Sequence, residues 1–446
     1  MRIHAIGGYN EVGKNMTALE IGEDVLLFDC GIYLPAIVGV SEKEKIPTEK
    51  GMRGLGALPD DTYLEKVGLK NKVRALLISH AHLDHIGAIP YVAPKYNAPV
   101  VGTPFTMELV KIIMKDNGHS IPNKIISVKL NGSYVIKGKS GNYKVEFINV
   151  PHSTIETTAI AVHTPEGIFL YANEFKMDNT PTFGEKMNYG KMKELSKMGV
   201  KIMLGDSLYA HEDIKTPSEK IAKSLLEDVL LGSHNQNSGI VVSTFSSHIA
   251  RLKSITELGF KLGREVVFFG RSLSKYTQAA RKVGKANFMG RVKIYTYRKQ
   301  VEKIMNRINA NKKKYLVVCT GHQGEPGSVL DRISRHQLPL KISDKDHIIF
   351  SSKTIPTPET ELSKSNLVSR LRKTNVRIFD SIHVSGHGSR EDLREMIELV
   401  KPEHFLPSNA EIAKTQLGAE LAQSLGYKMN KTVHLLQNSK FLEIKG

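Results

Sequence analysis

Three histidines and an aspartate fall within six positions in Ser79-His80-Ala81-His82-Leu83-Asp84-His85-Ile86-Gly87. That density of imidazole and carboxylate calls for a metal ion. The apolar run Ala75-Leu76-Leu77-Ile78 directly before it reads as a buried strand, so the ligands leave a strand end, where alternate side chains aim at one point. His80 and His82 then share a face. Asp84 and His85 follow as the backbone turns into a helix, and the pair reaches a second ion beside the first. Two ions roughly 3.5–4 Å apart clamp the attacking and leaving oxygens of a displacement and lower the pKa of a water between them. The chemistry implied is hydrolysis at a phosphate or acyl group. A structural zinc clip fits poorly, because such sites favour a closed, thiolate-rich set of four ligands. The two cysteines, Cys30 and Cys319, have no cysteine neighbour in the sequence.

Further candidate groups also stand at strand ends. Alternation over 143–148 runs into Val150-Pro151-His152-Ser153, and Ile168-Phe169-Leu170-Tyr171 runs into Ala172-Asn173-Glu174-Phe175-Lys176. Asp206-Ser207 and His383-Val384-Ser385-Gly386-His387-Gly388-Ser389 close two later strands, and Asp29 ends an early one.

The elements that must position these groups divide into two patterns. Residues 1–35 alternate as antiparallel strands, the first sheet of a β-sandwich, and 36–70 read as a surface excursion. Helical patterns follow at 90–96 and 103–117, where Lys111 and Lys115 share a face. From 205 onward strands alternate with helices: strands at 239–244, 265–269 and 315–319, helices at 248–259 and 276–283. This predicts a doubly wound parallel domain. A strand at 376–379 then reads as the return to the first fold, with a helix at 390–400.

The βα region is rich in cations: Arg264, Arg271, Lys275, Arg281, Lys282, Lys285, Arg291, Lys293, Arg298, Lys299 and Lys312-Lys313-Lys314. Its strand-to-helix turns carry hydroxyls and free N–H groups suited to phosphate oxygens. They include Ser247 and His248, Arg271 and Ser272, residues 320–327, and Ser351. Over the whole 446 residues, 63 Lys and Arg against 45 Asp and Glu give a net charge of +18, which favours a polyanionic partner. No apolar run approaches the roughly 20 residues of a membrane-spanning helix, and the first residues have no apolar signal region. Two cysteines in this length fit a reducing cytoplasm.

Taken together, His80-x-His82-x-Asp84-His85, His152, the acid at 174, Asp206-Ser207 and Ser385-Gly386-His387 resemble the β-CASP branch of the metallo-β-lactamase superfamily. Gln323-Gly324-Glu325-Pro326 and Ile382-His383-Val384-Ser385-Gly386-His387 resemble the ribonuclease J family in particular, in its compact archaeal form. The resemblance covers essentially the full chain. It implies an α/β fold, a metallo-β-lactamase αββα sandwich with an inserted doubly wound parallel β-CASP domain. The expected units are 1–205, an insertion at 206–372 and a C-terminal return at 373–446. It also implies a metal-dependent ribonuclease, mainly 5′-to-3′ exonucleolytic on 5′-monophosphorylated single-stranded RNA, cytoplasmic and homodimeric, with endonuclease activity in some relatives.

Carried over by position, His80, His82 and His152 hold one ion, Asp84 and His85 the other, and Glu174 takes the bridging place. Asp84, Asp206 and His387 become the catalytic set, His387 helping to protonate the leaving 3′ oxygen. From the hydroxyl-bearing turns themselves, the expected RNA contacts are Ser247, His248, Arg271, Ser272, Ser351 and the stretch Ser385, Gly386, His387, Gly388 and Ser389. Asp29 would be the partner of a metal-binding histidine. The expected cofactor is zinc at two sites, with manganese or magnesium as alternatives.

Two positions depart from the family pattern. Glu174 stands where relatives carry an aspartate, and its extra methylene must be absorbed by the backbone or the bridge given up. Asn409, in Pro407-Ser408-Asn409-Ala410-Glu411, stands where relatives carry a histidine on the second ion. The expectation is a firm first ion and a weak second. An RNA-binding form with crippled chemistry is the rival reading. A small-molecule hydrolase fits less well, because a small ester needs no basic groove.

Overall fold

A computed structural model describes residues 1–38, 48–116, 118–233, 235, 237–355 and 357–444. The first sheet begins with strands β1 (Arg2–Gly7), β2 (Met16–Ile21) and β3 (Asp24–Phe28) and continues through β4 (Val73–Leu77), β5 (Val100–Gly102) and β6 (Ile125–Ser127). The second holds β7 (Ser133–Lys137), β8 (Asn142–Asn149), β9 (Thr158–Thr164), β10 (Gly167–Ala172) and β11 (Val200–Asp206). A third sheet has the order β14-β13-β15-β12-β16-β17, all parallel. Its strands are β12 (Ile240–Ser243), β13 (Glu265–Phe269), β14 (Lys293–Tyr295), β15 (Tyr315–Cys319), β16 (His347–Phe350) and β17 (Arg377–Phe379). The chain then returns: β18 (His404–Ser408) lies parallel to β11 in the second sheet, and β19 (Lys440–Glu443) pairs antiparallel with β1 in the first.

Strand burial explains the layering. Strands β2 and β3 are buried along their whole length, as strands covered on both faces must be. One face of each outer sheet meets the other in a shared core containing Leu26, Phe28, Leu77, Phe147, Phe169 and Tyr171. There Phe28 stacks on Tyr171 with ring centroids 5.0 Å apart. Helices cover the opposite faces, among them Tyr189–Met198 and Arg390–Val400 on the second sheet, through Met192, Leu195, Met396 and Ile397. This is the expected αββα sandwich with a doubly wound parallel insertion.

Several local expectations change. The strand at 377–379 does not belong to the return: it pairs with β16 and forms the edge of the third sheet, so that sheet runs past 372. A short alternating run carries no record of which sheet it will join. Pro94 limits the 90–96 pattern to a short helix, Ile89–Val92, and a 3-10 turn, because proline has no N–H to continue the ladder. The helix expected at 103–117 spans Pro104–Asp116, and Asn117 lies outside the described residues. The excursion at 36–70 contains helices at Pro35–Val38, Glu49–Gly54 and Thr62–Lys66, while 39–47 lie outside the described residues.

A buried cation ties the elements of the insertion to one another and to the segment that leaves β17. Arg251, fully buried on the helix Ile249–Lys261, donates to both carboxylate oxygens of Glu219 at 2.6 and 2.8 Å. Its remaining N–H groups reach the Ser351 carbonyl at 3.0 Å and the Ile382 carbonyl at 3.2 Å. Burial opposes the charge on Glu219, but Arg251 and His248 outweigh it and hold the carboxyl well below its usual range. Removing one partner of such a pair strands the other charge in a low-dielectric interior. Arg251→Ala is therefore expected to lower stability by about 3–5 kcal/mol, read as a shifted urea midpoint. A loss below about 1 kcal/mol, the size of an exposed pair, would show that the link is dispensable.

Candidate metal centre

The ligand loop is laced to the backbone before β2 and after β3. Asn15 N–H donates to the Asp84 carbonyl at 3.0 Å, and Cys30 N–H donates to that of His85 at 2.7 Å. A Cβ on Gly31 would stand 1.5 Å from the Asp84 carbonyl oxygen, so only glycine allows this approach. His80 and His82 follow β4, and the helical turn Leu83–Ile86 carries Asp84 and His85. His152 enters after β8, Glu174 after β10, Asp206 ends β11, and Asn409 follows β18. One end of the two facing sheets thus delivers the whole set.

Two clusters result, His80, His82, His152 and Glu174 in one and Asp84, His85 and Glu174 in the other. In the first, His82 Nδ1 lies 3.0 Å from His80 Nε2 and 3.2 Å from His152 Nε2. Glu174 Oε2 lies 3.1 Å from His80 Nε2, 2.9 Å from His152 Nε2 and 3.8 Å from His82 Nδ1. Four ligand atoms about 2.0–2.2 Å from a tetrahedral ion stand about 3.3 Å from one another. The donors present fit such an ion. Glu174 Oε2 supports this, since it is buried and makes no hydrogen bond with the described residues.

Hydrogen bonds on the far side of each ring select the inward-facing atom. Ser79 Oγ is 2.9 Å from His80 Nδ1 and donates to Asp29. His152 Nδ1 donates to the Gly386 carbonyl at 2.7 Å. His82 turns the opposite way: Nδ1 faces the cluster, and Nε2 lies 3.1 Å from Ser247 Oγ of the insertion. His85 Nδ1 donates to Asp29 Oδ2 at 2.7 Å, and that carboxylate also accepts from Tyr171 OH at 2.9 Å and from Ser79 N–H at 2.8 Å. Asp29 is therefore the histidine partner expected from the sequence.

Glu174 belongs to both clusters: Oε2 stands among three imidazoles while Oε1 is 2.8 Å from His85 Nε2. Asn409 meets it from the other side. Its Nδ2 donates to Glu174 Oε1 at 2.8 Å, and its own Oδ1 is buried with no hydrogen-bond partner among the described residues.

The charges follow from the packing. Burial opposes ionisation of Glu174, but His85, His387, His80 and His152 outweigh it and hold the carboxyl well below its usual range. Burial likewise dominates at His80 and His152, leaving them well below the usual imidazole value and neutral, as ligands must be. Burial also opposes a charge on His85, yet Glu174, Asp29 and Asp84 together raise it well above 6.5, so an ion entering there displaces a proton. His387 Nδ1 donates to Asp206 Oδ2 at 2.7 Å. Burial would lower its pKa, but Glu174 and Asp206 raise it to about 9.

The expected RNA contacts divide. Ser247, Ser272, Ser385, Gly386 and His387 line a cleft of about 360 Å³ that opens on His82, Asp84 and Glu174. Arg271 is exposed at the start of the helix Arg271–Lys282. The others serve the interior. Ser351 is fully buried and donates to the Ile382 carbonyl at 2.8 Å, and His248 caps the helix that carries Arg251. Ser389 caps the helix Arg390–Val400, and Gly388 donates its N–H to the Phe175 carbonyl. Their hydroxyl, imidazole and N–H groups are spent on the fold. Much of the basic stretch is likewise paired: Arg264 is buried on three carbonyls, Lys275 and Lys282 meet Asp116 and Glu108, and Lys293 and Lys314 share Glu265. Sequence reasoning missed Asn15, whose Nδ2 lies 3.1 Å from His85 Nε2, and Ser153, whose Oγ lies 3.3 Å from His82 Nε2. Asn15 sits in a loop with no pattern, but Ser153 adjoins a predicted ligand and was legible.

Comparison with known proteins matches three family models in order along the chain. They are the metallo-beta-lactamase superfamily over 9–172, the ribonuclease J beta-CASP domain over 237–369, and the Zn-dependent metallo-hydrolase RNA specificity domain over 373–434. Ribonuclease J of Methanocaldococcus jannaschii is 38% identical over 449 residues, covering all of this chain and 99% of the relative. The chain belongs to the ribonuclease J family. As a member it is a metal-dependent ribonuclease with a divalent-ion site. Ribonuclease J of Pyrococcus abyssi is 37% identical over 98% of its length, while that of Helicobacter pylori, at 29%, is matched over 61% of its length. A crystal structure of an Enterococcus faecalis protein of unknown function superposes with a TM-score of 0.64 at 15% identity over 99% of both chains, which shows a shared fold.

An NMR titration of the metal-free protein checks the local field. The His387 imidazole is expected to stay protonated until the pH rises through about 9. In Asp206→Asn its midpoint should fall by about one to two pH units. An unchanged midpoint would remove Asp206 as the partner.

Proposed function

We propose that this ribonuclease degrades single-stranded RNA from the 5′ end, preferring a 5′-monophosphate. The observation that carries this reading is the cleft itself. Hydroxyls of Ser246, Ser247, Ser272 and Ser385 line it on the approach to His82 and Glu174, and such groups suit the oxygens of a terminal phosphate better than a ring of fixed charges would.

His80, His82, His152 and Glu174 hold the first ion, and Asp84, His85 and Glu174 the second. When bound, these ions supply the Lewis acidity that polarises the phosphodiester and acidifies a water. Asp84 orients the attacking water. His387, kept protonated beside Asp206, gives its proton to the leaving 3′ oxygen. Ser247, Ser272, Ser385 and the backbone of Gly386 position the phosphate, and Arg271 meets RNA outside the cleft. The second ion is the weaker, since its cluster has three ligand atoms and the Asn409 amide already occupies Glu174 Oε1. Zinc suits the imidazole-rich first cluster, while manganese, which accepts oxygen ligands readily, suits the second. Cytoplasmic residence accords with two buried free cysteines, and homodimer formation with Phe441, 54% exposed on the edge strand β19.

Degradation of one RNA bearing 5′-monophosphate, 5′-triphosphate or 5′-hydroxyl ends tests the direction. The monophosphate should be degraded fastest, and equal rates would remove end recognition while leaving the ribonuclease. Elemental analysis tests the metal centre. About one tightly held ion per chain is expected, rising toward two, with faster cleavage, in the double variant Glu174→Asp, Asn409→His. Two tight ions in the unmodified protein, with cleavage unchanged by the double substitution, would overturn the weak second site.

A further inference from the structure

One cleft residue has no part in this chemistry. His322 follows β15 in Thr320-Gly321-His322-Gln323, and only 8% of it is exposed. Neither ring nitrogen hydrogen-bonds to any described residue, yet the side chain lines the cleft that opens on the metal centre. Buried polar atoms without partners are rare because they forfeit hydration with nothing in return. His347 shares that deficiency but does not line this cleft, whereas His322 stands where an incoming ligand reaches it.

Its setting narrows what the ligand is. Phe245 packs on the imidazole with ring centroids 4.1 Å apart at 59°, and Lys364 Nζ donates to the His322 carbonyl at 3.2 Å. The next residue is pinned as well: Gln323 Nε2 donates to the Lys353 carbonyl at 3.1 Å, and its Oε1 accepts from Ile355 N–H at 3.0 Å. The ring is therefore held in place before any ligand arrives. Glu325 Oε1 lies 3.7 Å from Nδ1, which favours the tautomer with its proton on Nδ1 and leaves Nε2 as an acceptor. Burial lowers the pKa of the ring, with Glu325 opposing, so the imidazole is neutral at physiological pH. An uncharged acceptor beside a carboxylate repels a phosphate. Beside an aromatic ring it suits a flat heterocycle with N–H donors, and in single-strand recognition that heterocycle is a nucleobase.

We propose that His322 reads the nucleobase of the 5′-terminal nucleotide, Nε2 accepting a base N–H beside the Phe245 ring. The proposal rests on the 5′-end reading above and adds to it a base-recognising pocket separate from the metal and phosphate groups.

Binding of adenosine 5′-monophosphate and of ribose 5-phosphate to the metal-loaded full chain tests it, together with degradation of 5′-monophosphorylated RNAs whose first nucleotide is normal or abasic. The unmodified protein should bind the nucleotide at least about tenfold tighter than the sugar phosphate, the scale of one buried hydrogen bond with its packing. His322→Ala should remove most of that difference, leave ribose 5-phosphate unaffected, and raise KM for normal RNA with kcat held. His322→Gln, which restores an acceptor, should recover part of the loss. Should the alanine variant misfold, His322→Phe keeps the packing on Phe245 and tests the lost acceptor alone. Equal affinity for the two probes in the unmodified protein, or an equal loss of both on substitution, overturns the proposal. Loss of 5′-end preference with His322-dependent nucleotide binding intact would overturn the direction of degradation and leave the base site standing.

Discussion

Everything at the active end of this molecule answers to one buried carboxylate. Glu174 sends one oxygen among three imidazoles and the other toward His85, and a charge so far from water persists only if cations or protons stand on every side of it. That requirement explains why ligands arrive from β4, β8 and β10 and why β18 must come back beside β11. It also explains the second layer of hydrogen bonds. Asp29, Ser79 and the Gly386 carbonyl each fix one ring, so the inward-facing nitrogens are set before an ion arrives. A Cβ on Gly386 would meet Ser153 at 2.6 Å, so the backbone that holds His152 tolerates no larger residue.

The part of this arrangement written locally was legible in the sequence. Four ligands within six residues after an apolar strand announce a metal whatever the rest of the chain does, and the βα alternation of the insertion is a periodic signal. Glu174, Asp206 and Asn409 are single residues at strand ends, and only their likeness to a family pattern marked them out. Other features had no sequence signal at all. Arg251 and Glu219 lie on different helices and become partners through tertiary packing, and Asn15 reaches His85 from a patternless loop. The strand Arg377–Phe379 was visible as a strand, but its sheet is decided by the edge left open on β16.

Charge shows the same limit. A net +18 is a property of the chain, whereas a phosphate grip needs cations that remain unspent after folding. Arg251 and Arg264 are buried structural ties, and several lysines of the insertion are held by acids on neighbouring elements. The net charge therefore overstates how many cations the fold leaves for a polyanion.

The return of β18 and β19 has a consequence for the order of assembly. β18 pairs with β11 across an intervening insertion of nearly two hundred residues, and β19 closes the first sheet beside β1. Such pairings have long sequence separation, and they form late because the intervening chain must first be confined. A nascent chain that has emerged only as far as β11 already carries the three imidazoles of the first cluster, but not His387 or the strand that seats Asn409. His387 and Asn409 therefore join the ligands of the first cluster only once the chain has returned through the insertion to β18.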